Sequence, residues 1–221
     1  MSLIKKQLFE QLAIIAHSLG SPQRVEMLDY LAQAECGVDE LSKLVGLTVA
    51  NTSRHLLILK NNGLVVVRKA GKQRLYKIAG DDVVLLIASL RITAQTHLAE
   101  VDRLLTKISS NTLHENTISS EQLADKFNDQ DLLILDVRPN KEFLQGHIRG
   151  AVNIQPQEIP EKIKHLPANK TVVAYCRGPY CLYSYQMVNS LRDNGIQALR
   201  LEQGFPEWKA AGLPCELQEI L

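Results

Sequence analysis

Residues 172–183, VVAYCRGPYCLY, decide how the second half of this chain is read. A short apolar run stops at Cys176, a tight turn holding Gly178 and Pro179 follows, and Cys181 closes it at the start of a helix-forming stretch. An apolar run this short, bounded by Gly and Pro, reads as a buried strand, so the stretch is strand, loop, helix. At such a junction backbone N–H groups converge and the helix N-terminus adds partial positive charge. A thiolate at Cys176 is stabilised there, which lowers its pKa and makes it nucleophilic near neutral pH. Arg177 adds a cation, Gly178 permits the turn, and Pro179 stiffens it. The carboxyl end of a strand in an open parallel sheet is also where α/β folds place ligands. On spacing alone the pair Cys176 and Cys181 remains open to four readings: metal clip, disulfide, core thiols or nucleophile.

Working outward, short apolar strands alternate with helices. Strands are expected at 132–137 (LLILDV), 151–154, 171–176 and 198–201, and helices at 120–127, 140–145, 158–164, 181–194 and 205–211. That alternation predicts a small, mostly parallel α/β sheet. Residues 109–117, SSNTLHENT, are polar and lack periodicity, which places a linker there. The 221 residues then divide into a domain over 1–108 and another over 118–221.

The first half reads as helical with one hairpin. A helix spans 3–18. Ser21 and Pro22 supply an N-cap and first-turn proline for a second helix to about Ala34. A short helix covers 38–45 and ends at Gly46. Thr48 caps the next, which runs to about Asn62 and stops at Gly63. Residues 64–68 and 73–78 form a hairpin across KAGK, and one long helix from Asp82 to Lys107 closes the half. Two helices joined by a tight Gly-containing turn read as helix-turn-helix, with the hairpin as a wing. The base-contacting side chains are then Asn51, Thr52, Ser53, Arg54 and His55, while Arg68, Lys69, Lys72 and Arg74 on the wing meet phosphates. Leu56, Leu57 and Leu59 are assigned to the core.

Charge supports a polyanion partner. Net charge is only +1, but residues 43–77 hold eight basic side chains and no acidic one. The first 110 residues carry 14 basic against 10 acidic groups, the remainder 11 against 14. No signal sequence and no apolar run of membrane-spanning length are visible, so a cytoplasmic protein with mostly reduced thiols is expected.

Residues 46–78, GLTVANTSRHLLILKNNGLVVVRKAGKQRLYKI, resemble the ArsR-type winged helix-turn-helix repressors, and the likeness extends over 10–105. It implies a double-stranded DNA operator as partner and a homodimer through the first and last helices of the domain. Many such repressors sense metals, but Gly37 and Asp39 stand where paired cysteine ligands would be, and Cys36 is alone. Val84, Gln95 and Leu98 stand where the zinc-type members carry ligands on the last helix; Asp82 matches only its start, and His97 and Glu100 do not complete the spacing. No metal site and no cofactor are expected.

LDVRPNKEFLQGHIRGAVNI (135–154) and GFPEWKAAGLP (204–214), flanking the Cys176 loop, resemble the signatures of the rhodanese (sulfurtransferase) domain over 117–221. The fold class is thus a mainly-α winged helix-turn-helix followed by an α/β rhodanese-like parallel sheet. The resemblance implies that Cys176 takes sulfur from a sulfane-sulfur donor as a persulfide, cradled by the loop Arg177, Gly178, Pro179, Tyr180 and Cys181, and passes it to a thiol acceptor. Asp136 and Arg138 brace the loops, and His147 and Cys215 carry no chemistry. Cysteine-dependent phosphatases of related fold place an Arg six residues after the cysteine, where this chain has Leu182. Cys181 either resolves Cys176 as a disulfide or polysulfide, or is only a helix-start residue. The expected function is a DNA-binding repressor that senses or processes reactive sulfur. The alternatives are a working sulfurtransferase with an accessory DNA-binding domain, and a metal-responsive repressor with a vestigial C-terminal domain.

Overall fold

A computed structural model describes residues 3–109, 116–127, 129–167 and 169–217. The chain divides into two compact units, Met1–Ile87 and Ala88–Leu221. Most of the expected linker, residues 110–115, lies outside the described residues.

In the first unit α1 (Leu3–Leu19), α2 (Pro22–Gln33), α3 (Val38–Leu44) and α4 (Val49–Asn61) surround a core, with β1 (Cys36–Gly37), β2 (Val65–Ala70) and β3 (Gln73–Ile78) forming an antiparallel sheet in the order β1-β3-β2. Met27, Leu28 and Leu31 of α2 repeat at helical spacing and are fully buried against Leu41, Leu56 and Leu59. Gly46 and Gly63 end α3 and α4 with positive φ (64° and 75°), the conformation that lets a chain leave a helix at low cost. Thr48 caps α4, its Oγ1 accepting from the Asn51 amide. Ser21 occupies the N-cap of α2, but its hydroxyl bonds Gln23 rather than the helix amides. Arg24 instead caps the end of α1, donating to the carbonyls of His17 and Ser18. The face of α1 bearing Leu3, Ile4, Leu8, Phe9 and Leu12 is left more than half exposed.

The expected helix over Asp82–Lys107 is two helices, α5 (Asp81–His97) and α6 (Ala99–Ser109). No Gly or Pro marks the break. The hydroxyls of Thr93 and Thr96 donate back to the carbonyls of Ser89 and Ile92, a competing bond that loosens the helix ladder just before Leu98.

The second unit carries, besides α6 and the end of α5, β4 (Thr117–Ile118), α7 (Ser120–Asp125), β5 (Leu132–Asp136), α8 (Asn140–Gln145), β6 (Gly146–Ile148), β7 (Val152–Asn153), α9 (Ile159–Lys162), β8 (Thr171–Tyr175), α10 (Leu182–Asp193), β9 (Ala198–Leu201), α11 (Phe205–Ala210) and β10 (Cys215–Leu217). Five parallel strands run β4-β9-β8-β5-β7, and β10 pairs with β6 in a separate antiparallel ribbon. β8 is buried on both faces because the sheet is covered on both. Val172 and Ala174 meet Met187, Val188 and Leu191 of α10, while Val173 and Tyr175 meet Leu123, Phe205 and Trp208 on the other side. The register pairs Asp136 of β5 with Tyr175 of β8, so Arg138 and Cys176 leave the carboxyl ends of adjacent strands side by side.

Candidate functional site

Cys176 follows β8 directly and is 3% exposed. The structure joins its sulfur to that of Cys181, the N-cap residue of α10, across a Cα–Cα distance of 6.1 Å. Of the four readings of the pair, two cysteine sulfurs in bonding contact is the one the geometry realises; the separation falls within the span a disulfide bridges without backbone movement. The loop between them is closed by the Cys181 amide donating to the Gly178 carbonyl and by the Tyr185 hydroxyl donating to that of Pro179. Tyr180 is exposed at the loop tip. The amides of α10 begin at Leu182, just after Cys181, and the earliest N–H groups of any helix have no intrahelical partner. A thiolate or a persulfide anion in this loop faces that positive end.

Arg177 differs from expectation. Its Nε donates to both carboxylate oxygens of Glu142 on α8 (3.0 and 3.1 Å), so its charge is already partnered and it tethers the loop. Anion stabilisation at Cys176 therefore falls to the helix terminus and the loop amides.

Beneath the loop lies a buried polar network. The Asp136 carboxylate accepts from the Arg138 amide (2.8 Å), from its Nη2 (2.6 Å) and from the Tyr175 hydroxyl (2.6 Å). Arg138 also donates to the Gly146 carbonyl, and its guanidinium lies 4.4 Å from the Phe205 ring centroid. Both ionic side chains are wholly buried. Burial works against the Arg138 charge, but the Asp136 carboxylate more than offsets it and holds the guanidinium pKa above its usual range. Burial, then the neighbouring Asp136, pushes the Tyr175 phenol well up, so Tyr175 stays a donor. Asp136 and Arg138 thus fix the ends of β5 and the start of α11. His147 is held between the Phe143 carbonyl and Glu216, and Cys215 lies in β10.

Gly204, unremarked in the sequence except as the first letter of a signature, is set by contact. A Cβ there would lie 2.2 Å from the Arg177 carbonyl oxygen and 2.7 Å from the Gly178 nitrogen. The next residue, Phe205, donates its amide to the Cys176 carbonyl, and Glu207 accepts from the Gly204 amide while pairing with Arg91 at 2.6 Å. α11 therefore presses directly on the back of the sulfur loop. Gly204→Ala is expected to displace that loop, lowering stability by about 1–3 kcal/mol as overpacking does and slowing the reaction of the reduced Cys176 thiol with a disulfide reagent at least about tenfold by misplacing its sulfur. Thermal melts alongside timed thiol mass spectrometry check both.

In the first unit, α4 exposes Asn51, Ser53 and Arg54. Thr52 is fully buried, and its hydroxyl donates to the Thr48 carbonyl. Its spacing to Leu56 and Leu59 puts it on the inner stripe of the helix, so it does not reach a groove. Leu57, assigned above to the core, is 54% exposed on the outer face. His55 is half-buried, its Nδ1 has no hydrogen-bond partner among the described residues, and burial, then Arg24 and Arg54, lowers its pKa. Near neutral pH it presents a neutral ring. On the wing Lys69, Lys72 and Arg74 are exposed, with Lys69 and Arg74 directly opposite across the strands. Arg68 is drawn back onto Glu35 by a two-pronged ion pair. Of the cations expected at DNA, Arg54, Lys69, Lys72 and Arg74 therefore stand exposed, beside Lys43, Lys60 and Lys77 of the same acid-free stretch. Cys36 is buried, its thiol donating to the Gly37 carbonyl. Among the described residues no three His, Cys, Asp or Glu side chains gather as a metal site requires, and no helix is long and apolar enough to cross a membrane.

Known proteins divide along the same line. The family model "Bacterial regulatory protein, arsR family" matches residues 21–67, and "Rhodanese-like domain" matches residues 119–211. The HTH-type transcriptional regulator Rv0324 of Mycobacterium tuberculosis is 35% identical over 212 residues, covering 96% of this chain and 93% of that protein. A sulfurtransferase of Allochromatium vinosum is 35% identical over 101 residues, 45% of this chain and 92% of its own length. The dual specificity phosphatase Cdc25 of Arabidopsis thaliana is 34% identical over 118 residues, 47% of this chain and 80% of its own.

Proposed function

Because this chain belongs to the arsR family of bacterial regulatory proteins, in a form that also carries a rhodanese-like domain, we propose that reactive sulfur is the signal to which this transcriptional regulator responds. One observation carries the proposal: Cys176 and Cys181 lie in bonding contact at the carboxyl end of β8 and the start of α10. The Cys176 thiolate attacks the sulfane sulfur of a polysulfide or thiosulfate. The donor's S–S bond breaks, the shortened polysulfide or sulfite leaves with the electron pair, and Cys176 holds the outer sulfur as a persulfide. The Cys181 thiolate then attacks the inner sulfur, hydrosulfide leaves, and the Cys176–Cys181 disulfide remains. The two thiols are oxidised and the sulfane sulfur is reduced to sulfide, so no further oxidant enters; an external thiol resets the pair.

The sulfur state changes DNA affinity only by its differential preference for one of two conformations. Binding of promoter DNA from the chain's own gene, measured before and after polysulfide treatment, tests this. Weaker binding after treatment, reversed by a reducing thiol, is expected; unchanged affinity sinks the coupling. A second reading, a working sulfurtransferase, draws on the Allochromatium relative. Sustained thiosulfate turnover to an external thiol favours it, whereas a stop after one turnover favours the sensor. Phosphoryl chemistry is not part of the proposal, because Leu182 occupies the place of a phosphate-binding cation and Arg177 is engaged by Glu142.

The DNA-binding form is proposed to be a homodimer, since the exposed apolar face of α1 needs covering and Leu85 and Leu86 of α5 are likewise exposed. Arg54 at the start of α4 reads base edges, and the wing lysines meet phosphates. Arg54→Ala should then weaken specific binding by about 1–3 kcal/mol, and Lys72→Ala should weaken all sequences alike and reduce the salt slope by about 1. Salt-dependent anisotropy titrations on specific and scrambled duplexes separate the two effects; no change in either removes the groove assignment.

A further inference from the structure

A second cavity-lining group in the Ala88–Leu221 unit has no role in sulfur transfer. Arg200 on β9 is 6% exposed, its guanidinium lies 4.4 Å from the Tyr185 ring centroid, and Nη1 donates to the Leu201 carbonyl at 3.0 Å. No carboxylate stands within ion-pair distance of it among the described residues. Burial is the largest influence on its pKa and lowers it, outweighing the opposing effects of Tyr185 and Glu202, whereas the wholly buried Arg138 has Asp136 to offset its burial. With one of five N–H donors engaged among the described residues, this buried guanidinium has donors left for an anion.

Arg200 lines a cavity of about 310 Å³, a volume that suits a small molecule. Gln203 and Glu202, just past β9, share its wall. The Gln203 carbonyl oxygen accepts from Ser120, leaving its amide hydrogens to donate, and Glu202 accepts from Thr117 with one carboxylate oxygen. Ala88, Leu105 and Pro179 supply apolar surface. The other charges on this wall, Arg91 and Glu207, are already joined to each other.

We propose that this cavity is a ligand site for a small amino-acid zwitterion, with Pro179 of the Cys176–Cys181 loop forming part of its wall. The carboxylate is received by Arg200 and the Gln203 amide, the ammonium by Glu202, and a short apolar side chain lies along Ala88, Leu105 and Pro179. Planar two-point recognition of a carboxylate is what a guanidinium does best.

Calorimetric titration of the full chain with S-methyl-L-cysteine, which cannot reduce the disulfide, tests the site, with propionate as the probe lacking an ammonium. Saturable binding at one per chain is expected. Arg200→Gln should weaken it at least about tenfold, the loss of one charged hydrogen-bonded contact. Should that variant fail to fold, Ala88→Phe fills the cavity from an incompletely buried position and should abolish binding with the melting temperature kept. Absence of saturable heat, or undiminished binding in Arg200→Gln or Ala88→Phe, would each overturn the site, and propionate binding as tightly as S-methyl-L-cysteine would overturn its zwitterion preference.

Discussion

Cys176→Ser should reduce sulfur uptake from thiosulfate or polysulfide to background, a loss of at least about a thousandfold, as removal of a covalent nucleophile does. The hydroxyl is a far weaker acid than the thiol, so the positive end of α10 has no thiolate to stabilise. The fold should be little affected, because Ser is nearly the same size and the loop keeps its tethers to Glu142, Phe205 and Tyr185. The informative partner is Cys181→Ser. Cys176 should then gain sulfur and keep it, so intact-mass spectrometry finds a stable persulfide where the parent shows a disulfide and no added sulfur. If resolution is the signal, promoter DNA binding in Cys181→Ser no longer responds to polysulfide although Cys176 is modified. If the persulfide itself is the signal, the response survives. Loss of sulfur uptake in Cys181→Ser would remove the resolving role and make Cys181 part of the capture step.

The fold class of each half was legible because each announces itself by a different period, although the end of α5 and all of α6 fall in the second unit. The alternation of short apolar strands with helices in the second half is the period of a doubly covered sheet, and β5, β8 and β9 lie where those runs are. The cap at Thr48 and the glycine stops at Gly46 and Gly63 carry local rules that tertiary structure had no reason to override. What escaped was of two kinds. Thr52 reads as a polar surface residue beside Asn51 and Ser53, and only its helical phase with Leu56 and Leu59 turns it inward. Burial costs it little, since its hydroxyl has the Thr48 carbonyl four residues back. Leu57 was misread for the complementary reason: composition marked it as core while phase points it outward.

The second kind is non-local. Arg177 meets Glu142 across 35 residues, and Gly204 lies under the Arg177 carbonyl from 27 residues further on. No spacing rule connects them, because the loop and its supports meet only when β8 is laid between β5 and β9. The same holds for Arg200, whose burial against the Tyr185 ring is a property of the folded sheet. Strands of two or three residues such as β1, β4 and β6 are too short to show any period.

The other large effect concerns the support of the sulfur loop. Arg138→Met should destabilise the second unit by about 3–5 kcal/mol, because it leaves the Asp136 carboxylate buried without its cation. For a unit of this size the melting temperature should fall by more than about 10 °C. Two observations make the stranded charge, rather than lost volume, the cause. Met approximates the Arg stem in volume, and among the described residues the Asp136 carboxylate retains only the Tyr175 hydroxyl and the residue 138 amide as donors. Replacing both members, Asp136→Leu with Arg138→Met, removes the uncompensated charge and should restore a large part of the loss, although the Tyr175 hydroxyl then keeps only its role as acceptor for the Ile148 amide. Protonating the stranded carboxylate removes the same charge, so the gap between Arg138→Met and the parent should narrow as pH falls. Thermal melts of the three proteins across pH separate the outcomes. If the double variant is no more stable than the single, and the gap does not change with pH, Arg138 acts through packing on Phe205 and its carbonyl bond to Gly146, and the ion pair contributes little to holding the loop.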